Sequence, residues 1–427
     1  MKEFEYQRIY VDQILERVSV KAHLRVTAIT GPRQVGKTTM ALQVRRQLIA
    51  SKIKSIYISM DSIDSHDVDG KDIEIYGGSQ PIGDQSNEQI LIEIWRRARQ
   101  HAIESPNGAV LLLDEIHLIP QWSKIVKGLW DADRRKGCPL RVVILGSAAW
   151  RMMVGRNESL VGRFELMKVP HWSFREMADV FKLSLDEYIF YGGYPGPFSK
   201  EAENISLPDW REYIRGSIIE PINNRDIIGV TRIKKPALMR QLIHLAPSYS
   251  GQIISYNKLL AQLDDAGNAT TLVAYLDLVS EAGLITALNR YTPAPHQGKA
   301  SPPKLNVLNS SIMTATTGYT LEEAKKNKIF WGHIVESAVG AHLYNSKATG
   351  TEVYFWRDKR GYYEVDFVIE RGPHLLGLEV KSGKMRSRSG LDGFKTRFPH
   401  AKTMVVGPSG VPFNEFFSLT TEEWIEN

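Results

Sequence analysis

The sequence predicts an α/β protein that opens with a parallel sheet, and three observations carry the prediction. The run Leu24-Arg25-Val26-Thr27-Ala28-Ile29-Thr30 leads into Gly31-Pro32-Arg33-Gln34-Val35-Gly36-Lys37-Thr38, the pattern of a phosphate-binding loop set between a strand and a helix. A second apolar run, Val110-Leu111-Leu112-Leu113, ends in the acidic pair Asp114-Glu115. Further apolar segments alternate with amphipathic ones up to about residue 170, as they do where helices cover both faces of a parallel sheet.

In the loop, glycines let successive backbone N–H groups turn inward toward an anion, and Lys37 adds a point charge between β- and γ-phosphates. Thr38 is expected to place its hydroxyl on Mg²⁺. With Thr39 it starts a helix whose positive end faces the phosphates. Gly31, Pro32, Arg33, Gln34, Val35, Gly36, Lys37, Thr38 and Thr39 are thus the nucleotide-binding set, and ATP and Mg²⁺ the expected cofactors. Lys54–Met60 reads as the second strand and Ile90–Arg99 as a helix, with a polar, Gly-rich loop between Asp61 and Asn87. The third strand delivers Asp114 to Mg²⁺, through water, and Glu115 to the attacking water. Trp122–Lys136 is an amphipathic helix whose Arg134-Arg135-Lys136 end suits its own dipole. Arg141–Leu145 is the fourth strand. Ser147, just beyond it, is either a γ-phosphate sensor or a helix N-cap. Phe164–Val169 is the last strand, after Gly162-Arg163.

A chain of 427 residues, 43% hydrophobic and 24% charged, exceeds what one core serves, so two to three domains are expected. The single cysteine, Cys138, excludes an internal disulfide, and the Cys/His pattern suggests no zinc site. No segment reads as a signal peptide or membrane span, which points to a cytoplasmic protein. A net charge of +6 permits an acidic polymer as partner without establishing one.

The order phosphate loop, Leu-Leu-Leu-Asp-Glu, Ile-Leu-Gly-Ser and Gly-Arg-Phe resembles the AAA+ ATPases. More narrowly, the loop, Gly192-Gly193-Tyr194-Pro195 and Glu364-Val365-Asp366-Phe367 resemble a widespread prokaryotic family that joins an AAA+ module to a C-terminal domain similar to PD-(D/E)xK nucleases. The resemblance implies a P-loop core over residues 1–170, a helical lid over 171–232, a winged-helix domain over 233–300, and a linker with a restriction-endonuclease-like α/β domain over 301–427. It also implies a homo-oligomer, a ring such as a hexamer, acting on nucleic acid, with DNA favoured. Arg163 would be the arginine finger that reaches a neighbour's nucleotide. Arg151 and Arg156 compete for that role, and a surface salt bridge is the alternative. No lid arginine matches the second sensor.

Leu238–Ala246, Ile254–Leu263 and Asn268–Ala282 read as three helices before the strand Leu284–Tyr291, an order that resembles a winged helix. The third helix carries two acids and no Lys or Arg, unlike a groove-reading helix. DNA contact, at Lys234, Lys235, Arg290 and Lys299, and protein contact therefore both stay open. Beyond the turn-rich stretch Pro293–Pro303, Tyr362–Ile369 and Leu375–Lys381 form a hairpin. It places Asp366 and Glu379 for one Mg²⁺, with Lys381 on the face of Glu379. The resemblance adds Glu336, on the helix Gly332–Tyr344. Alternating solvent-facing residues would give the same pattern, so cleavage and a silent fold both stay open.

Overall fold

A computed structural model describes residues 6–19, 25–61, 87–147, 162–198, 206–227, 233–263, 268–293, 301–383 and 388–426. The expected loop 61–87, Arg151, Arg156 and Lys299 therefore lie largely or wholly outside the described residues. The chain separates into two compact units, Met1–Val169 and Pro170–Asn427. Among the described residues, no helix is long and apolar enough to cross a membrane.

In the first unit five parallel strands, β1 (Val26–Gly31), β2 (Lys54–Ser59), β3 (Ala109–Asp114), β4 (Leu140–Ser147) and β5 (Phe164–Lys168), lie in the order β2-β3-β4-β1-β5. Every residue of β1 and β3 is buried, because successive side chains enter opposite layers. Leu111 and Leu113 join α3 (Asn87–Glu104) and α4 (Trp122–Arg135) through Trp95, Trp122, Val126 and Trp130. Val110 and Leu112 join α1 (Ile9–Ser19) and α2 (Lys37–Ala50) through Val11, Ile14, Met40 and Val44. This double cover explains why the strands read as continuous apolar runs rather than alternating ones. The buried carboxylate of Asp133 on α4 accepts a 2.7 Å hydrogen bond from the Trp95 indole and pairs with Arg99, so its charge is compensated where it couples two helices.

The second unit starts with helices Phe174–Phe181 and Leu185–Tyr191, each opened by a capping box, Ser173 with Glu176 and Ser184 with Glu187. The turn after them, Gly192-Gly193-Tyr194-Pro195, is an internal weld. The Gly193 amide donates to Asn309 Oδ1 at 3.2 Å, and a Cβ at Gly193 would stand 2.2 Å from the Trp172 carbonyl oxygen. Helix Leu207–Glu212 then runs into π-helical segments Tyr213–Ile219 and Ile222–Ile227.

Helices Pro236–Leu245 and Ala269–Glu281 lie where the apolar periodicity puts them. The one between is shorter than expected, Tyr256–Leu260, because Gln262 and Leu263 bond back to Leu259 and Leu260 in tight i→i−3 turns. β6 (Ile285–Leu288) pairs antiparallel with β7 (Lys304–Val307), so the ribbon crosses the boundary expected at residue 300. After helix Lys328–Ser346, the strands β8 (Thr351–Arg357), β9 (Glu364–Arg371), β10 (His374–Val380) and β11 (Lys402–Val406) form a mixed sheet in the order β11-β10-β9-β8. β10 and β11 are parallel and the other pairs antiparallel.

Candidate functional site

Because the first sheet is parallel, the carboxyl ends of β1, β3 and β4 share one edge, the edge at which open parallel sheets bind their ligands. The loop fits there for two geometric reasons. A Cβ on Gly31 would stand 2.1 Å from the Val169 carbonyl oxygen, and Gly36 has φ +89° at the entry to α2. The buried Lys37 ammonium donates to the carbonyls of Gly31 at 3.0 Å and Pro32 at 2.7 Å, which holds its charge over the loop. The Thr38 hydroxyl donates to Asp114 Oδ2 at 2.6 Å, bringing two hard oxygen donors from different elements together. That donor set suits Mg²⁺, which prefers oxygen and few protein ligands beside phosphate.

Three residues that sequence reasoning missed support this edge. Arg8, buried, donates to the Val35 carbonyl within the loop at 3.1 Å. Tyr57 on β2 donates its hydroxyl to Asp114 Oδ2 at 3.0 Å, and burial with the Asp114 charge holds its phenol well above the usual value. His117 Nδ1 lies 3.1 Å from Glu115 Oε2. Burial, with Lys37 and Arg33 adding to it, lowers the His117 pKa to about 4, so the ring is neutral at pH 7. Glu115 itself has φ +50°, an uncommon left-handed conformation for a non-glycine residue. The His two positions past Asp-Glu was the legible signal for this contact; Arg8 and Tyr57 offered none.

Ser147 is in register with Gly31 across β4 and β1. Its backbone is thus at the loop's edge, while its side chain lies outside the description. Arg163 is not brought to this edge. It precedes β5 at the amino end of the sheet, where its carbonyl accepts from Val26 N at 2.8 Å. Its guanidinium makes a two-pronged bond to Asp131 on α4, at 2.8 and 3.1 Å, which holds that carboxylate below its usual range.

In the second unit, two of the four acidic and basic residues singled out from sequence, Glu336 and Asp366, converge on a fifth, Lys304, while Glu379 and Lys381 pair with each other. Lys304, fully buried on β7, places Nζ 2.5 Å from Glu336 Oε1 and 3.6 Å from Asp366 Oδ1, and donates to the Asp366 carbonyl at 3.2 Å. Asp366 Oδ2 accepts from Val380 N at 2.8 Å. Lys381 Nζ pairs with Glu379 Oε1 at 2.7 Å. Burial, reinforced by Asp366 and opposed by Lys304, raises the Glu336 pKa to about 6. Burial alone would lower the Lys381 pKa, but Glu379, Asp366 and Glu336 together raise it. Among the described residues, no three His, Cys, Asp or Glu side chains are grouped to hold a metal ion.

The loop, the Thr38–Asp114 pair and the parallel order around β1 are those of a P-loop nucleotide-binding domain. Residues 23–178 match a family model described as an AAA domain, and residues 182–323 and 331–417 match two domains of unknown function, DUF8612 and DUF4143. The chain is similar to an uncharacterized protein of Mycobacterium tuberculosis, 25% identical over 379 residues that cover 86% of this chain and 74% of the relative. It is also similar, 25% identical over 362 residues, to an uncharacterized protein of Methanocaldococcus jannaschii, covering 81% of this chain and 72% of the relative. Among solved structures, the Aeropyrum pernix ORC1 protein in complex with DNA is 13% identical, covers 75% of this chain and 92% of its own, and has a TM-score of 0.32. That likeness is too loose to transfer assembly or partners.

Proposed function

We propose that this chain is a Mg²⁺-dependent ATP hydrolase that works as a homo-oligomer and couples turnover to a nucleic acid, DNA in the first instance, engaged by its second unit. The observation that carries the hydrolase reading is the 2.6 Å bond between Thr38 of the phosphate loop and the buried Asp114. When bound, MgATP supplies the phosphoryl group and the charge neutralisation. The loop amides and Lys37 bind the phosphates, Asp114 and Thr38 orient the metal's ligand shell, and Glu115 takes a proton from, or aligns, the attacking water. His117, neutral, packs beside that carboxylate, with Nδ1 3.1 Å from Glu115 Oε2 but not in hydrogen-bond geometry. Ser147 is the γ-phosphate sensor candidate. Arg163 would act across a subunit boundary after leaving Asp131.

The net charge of +6 supports the nucleic-acid half of the reading. The helix Ala269–Glu281, with Asp277 and Glu281 and no Lys or Arg, favours a second reading, a nucleotide-gated scaffold whose second unit contacts protein. The test is a pair of variants. Lys37→Ala should lose nucleotide affinity, while Glu115→Gln should bind ATP and fail to turn it over; wild-type hydrolysis by Glu115→Gln would end the assignment. ATPase rates with and without single-stranded, duplex and branched DNA separate the readings, since only the first expects stimulation.

A further inference from the structure

The resemblance seen in the sequence asks for a divalent cation between the carboxylates of the second unit, and the structure puts a lysine there. Lys304 is fully buried, bonded to the Glu336 carboxylate and the Asp366 carbonyl and 3.6 Å from the Asp366 carboxylate, and its Nζ sits 5.0 Å over the Phe367 ring. We propose that the Lys304 ammonium serves as a built-in cation in place of Mg²⁺, so that this cluster holds its carboxylates together without metal and the second unit does not cleave phosphodiesters.

The chemistry supports this in three ways. First, each of the three carboxylates already has a cation or an amide at one or both of its oxygens. Asp366 gives Oδ2 to Val380 N, and its Oδ1 faces Lys304. Glu336 gives Oε1 to Lys304, and Glu379 gives Oε1 to Lys381. Glu379 Oε2 is buried without a hydrogen-bond partner, and Glu336 Oε1 has the Lys304 ammonium as its ion-pair partner but no hydrogen bond in good geometry; Mg²⁺ asks for an octahedron of oxygens at about 2.0–2.1 Å. Second, a divalent ion beside a fixed ammonium in a buried site meets like-charge repulsion with little screening. Third, the lysine is rooted in β7, whose pairing with β6 fixes its backbone. With the backbone fixed and the side chain fully buried, the ammonium has little room to swing aside.

The experiment is Mn²⁺ binding by the nucleotide-free 427-residue chain, read by electron paramagnetic resonance, with Mg²⁺- and Mn²⁺-dependent cleavage of DNA and RNA assayed in parallel. The wild type should show no Mn²⁺ binding that depends on Asp366 or Glu379, and no cleavage. Lys304→Met, which keeps much of the volume and removes the charge, should bind Mn²⁺ at least about tenfold more tightly. Lys304→Met combined with Asp366→Asn should lose that gain. Wild-type Mn²⁺ binding abolished by Asp366→Asn or Glu379→Gln, or wild-type cleavage lost in Lys381→Ala, overturns the proposal. So does a folded Lys304→Met protein with no gain in Mn²⁺ binding. If Lys304→Met does not fold, the wild-type measurements decide alone. None of these outcomes moves the Glu115→Gln result, so the two readings fail separately.

Discussion

Replacing Tyr57 by Phe removes a single oxygen and keeps the ring that packs against the layer formed by α1 and α2. That oxygen donates to Asp114 Oδ2 at 3.0 Å, the same carboxylate oxygen that accepts the Thr38 hydroxyl at 2.6 Å. Asp114 is 1% exposed, so water is poorly placed to replace the lost donor. A hydrogen bond to a charged group contributes about 1.5–3 kcal/mol. At 1.36 kcal/mol per factor of ten, a carboxylate that must keep its place from substrate binding to the transition state loses about 10- to 150-fold in kcat/KM. The assay is steady-state ATP hydrolysis over a range of Mg²⁺ concentrations, with nucleotide affinity measured separately without Mg²⁺. Excess Mg²⁺ should restore part of the rate, and metal-free nucleotide affinity should stay at the wild-type value. Unchanged kcat/KM and unchanged Mg²⁺ dependence would refute the reasoning, and so would tighter Mg²⁺ use, which would mean that the phenol competes with the metal rather than positioning its partner.

Three further outcomes follow from other residues. Mixing Arg163→Ala with Glu115→Gln subunits should restore some ATPase activity if Arg163 acts in trans, since some interfaces then pair an intact arginine with an intact glutamate; verified mixed oligomers without recovery argue against it. His342 is buried between Phe416 and Phe417, donates Nε2–H to the Leu419 carbonyl at 2.8 Å, and is pushed down to about 4 by burial, with that bond opposing. The unfolded ring takes up its proton near pH 6.5, so its contribution is intact above that value. It is lost as pH falls toward 4, on the order of 3 kcal/mol in all. Chemical unfolding across this window should show the decline, and His342→Gln should flatten it. Binding to DNA should weaken steeply with salt and vary little with base sequence, because the helix Ala269–Glu281 offers no cation to a groove; a salt-insensitive, sequence-selective complex would contradict this.

The nucleotide edge was legible because its chemistry is local. Loop, strand and acidic pair each occupy a few consecutive residues, and period and turn chemistry report such segments directly. What escaped depends on pairing across the chain. Tyr57 reads as one aromatic in a β-branched run until β2 is set beside β3, with Ser59 opposite Asp114. Lys304 follows Pro302-Pro303 and reads as the end of a linker, although its ammonium bonds a carbonyl 62 positions away. Apolar period also overstated the helix at Ile254–Leu263. Leu263 is buried as the period requires, but the backbone reaches it through tight turns, and periodicity reports burial rather than hydrogen bonding.

The two buried lysines show why one site is open to an anion and the other is not. Lys37 donates to the carbonyls of Gly31 and Pro32, which are neutral acceptors. A phosphate carrying full negative charge offers the ammonium a stronger, charge-assisted bond and displaces those carbonyls at little expense. Lys304 is bonded to the Glu336 carboxylate and lies beside that of Asp366. An incoming phosphate there would have to separate a buried ion pair and leave carboxylates facing its own charge, which a low-dielectric site penalises heavily. A lysine held by carbonyls is therefore a binding group, and a lysine held by carboxylates is a structural one.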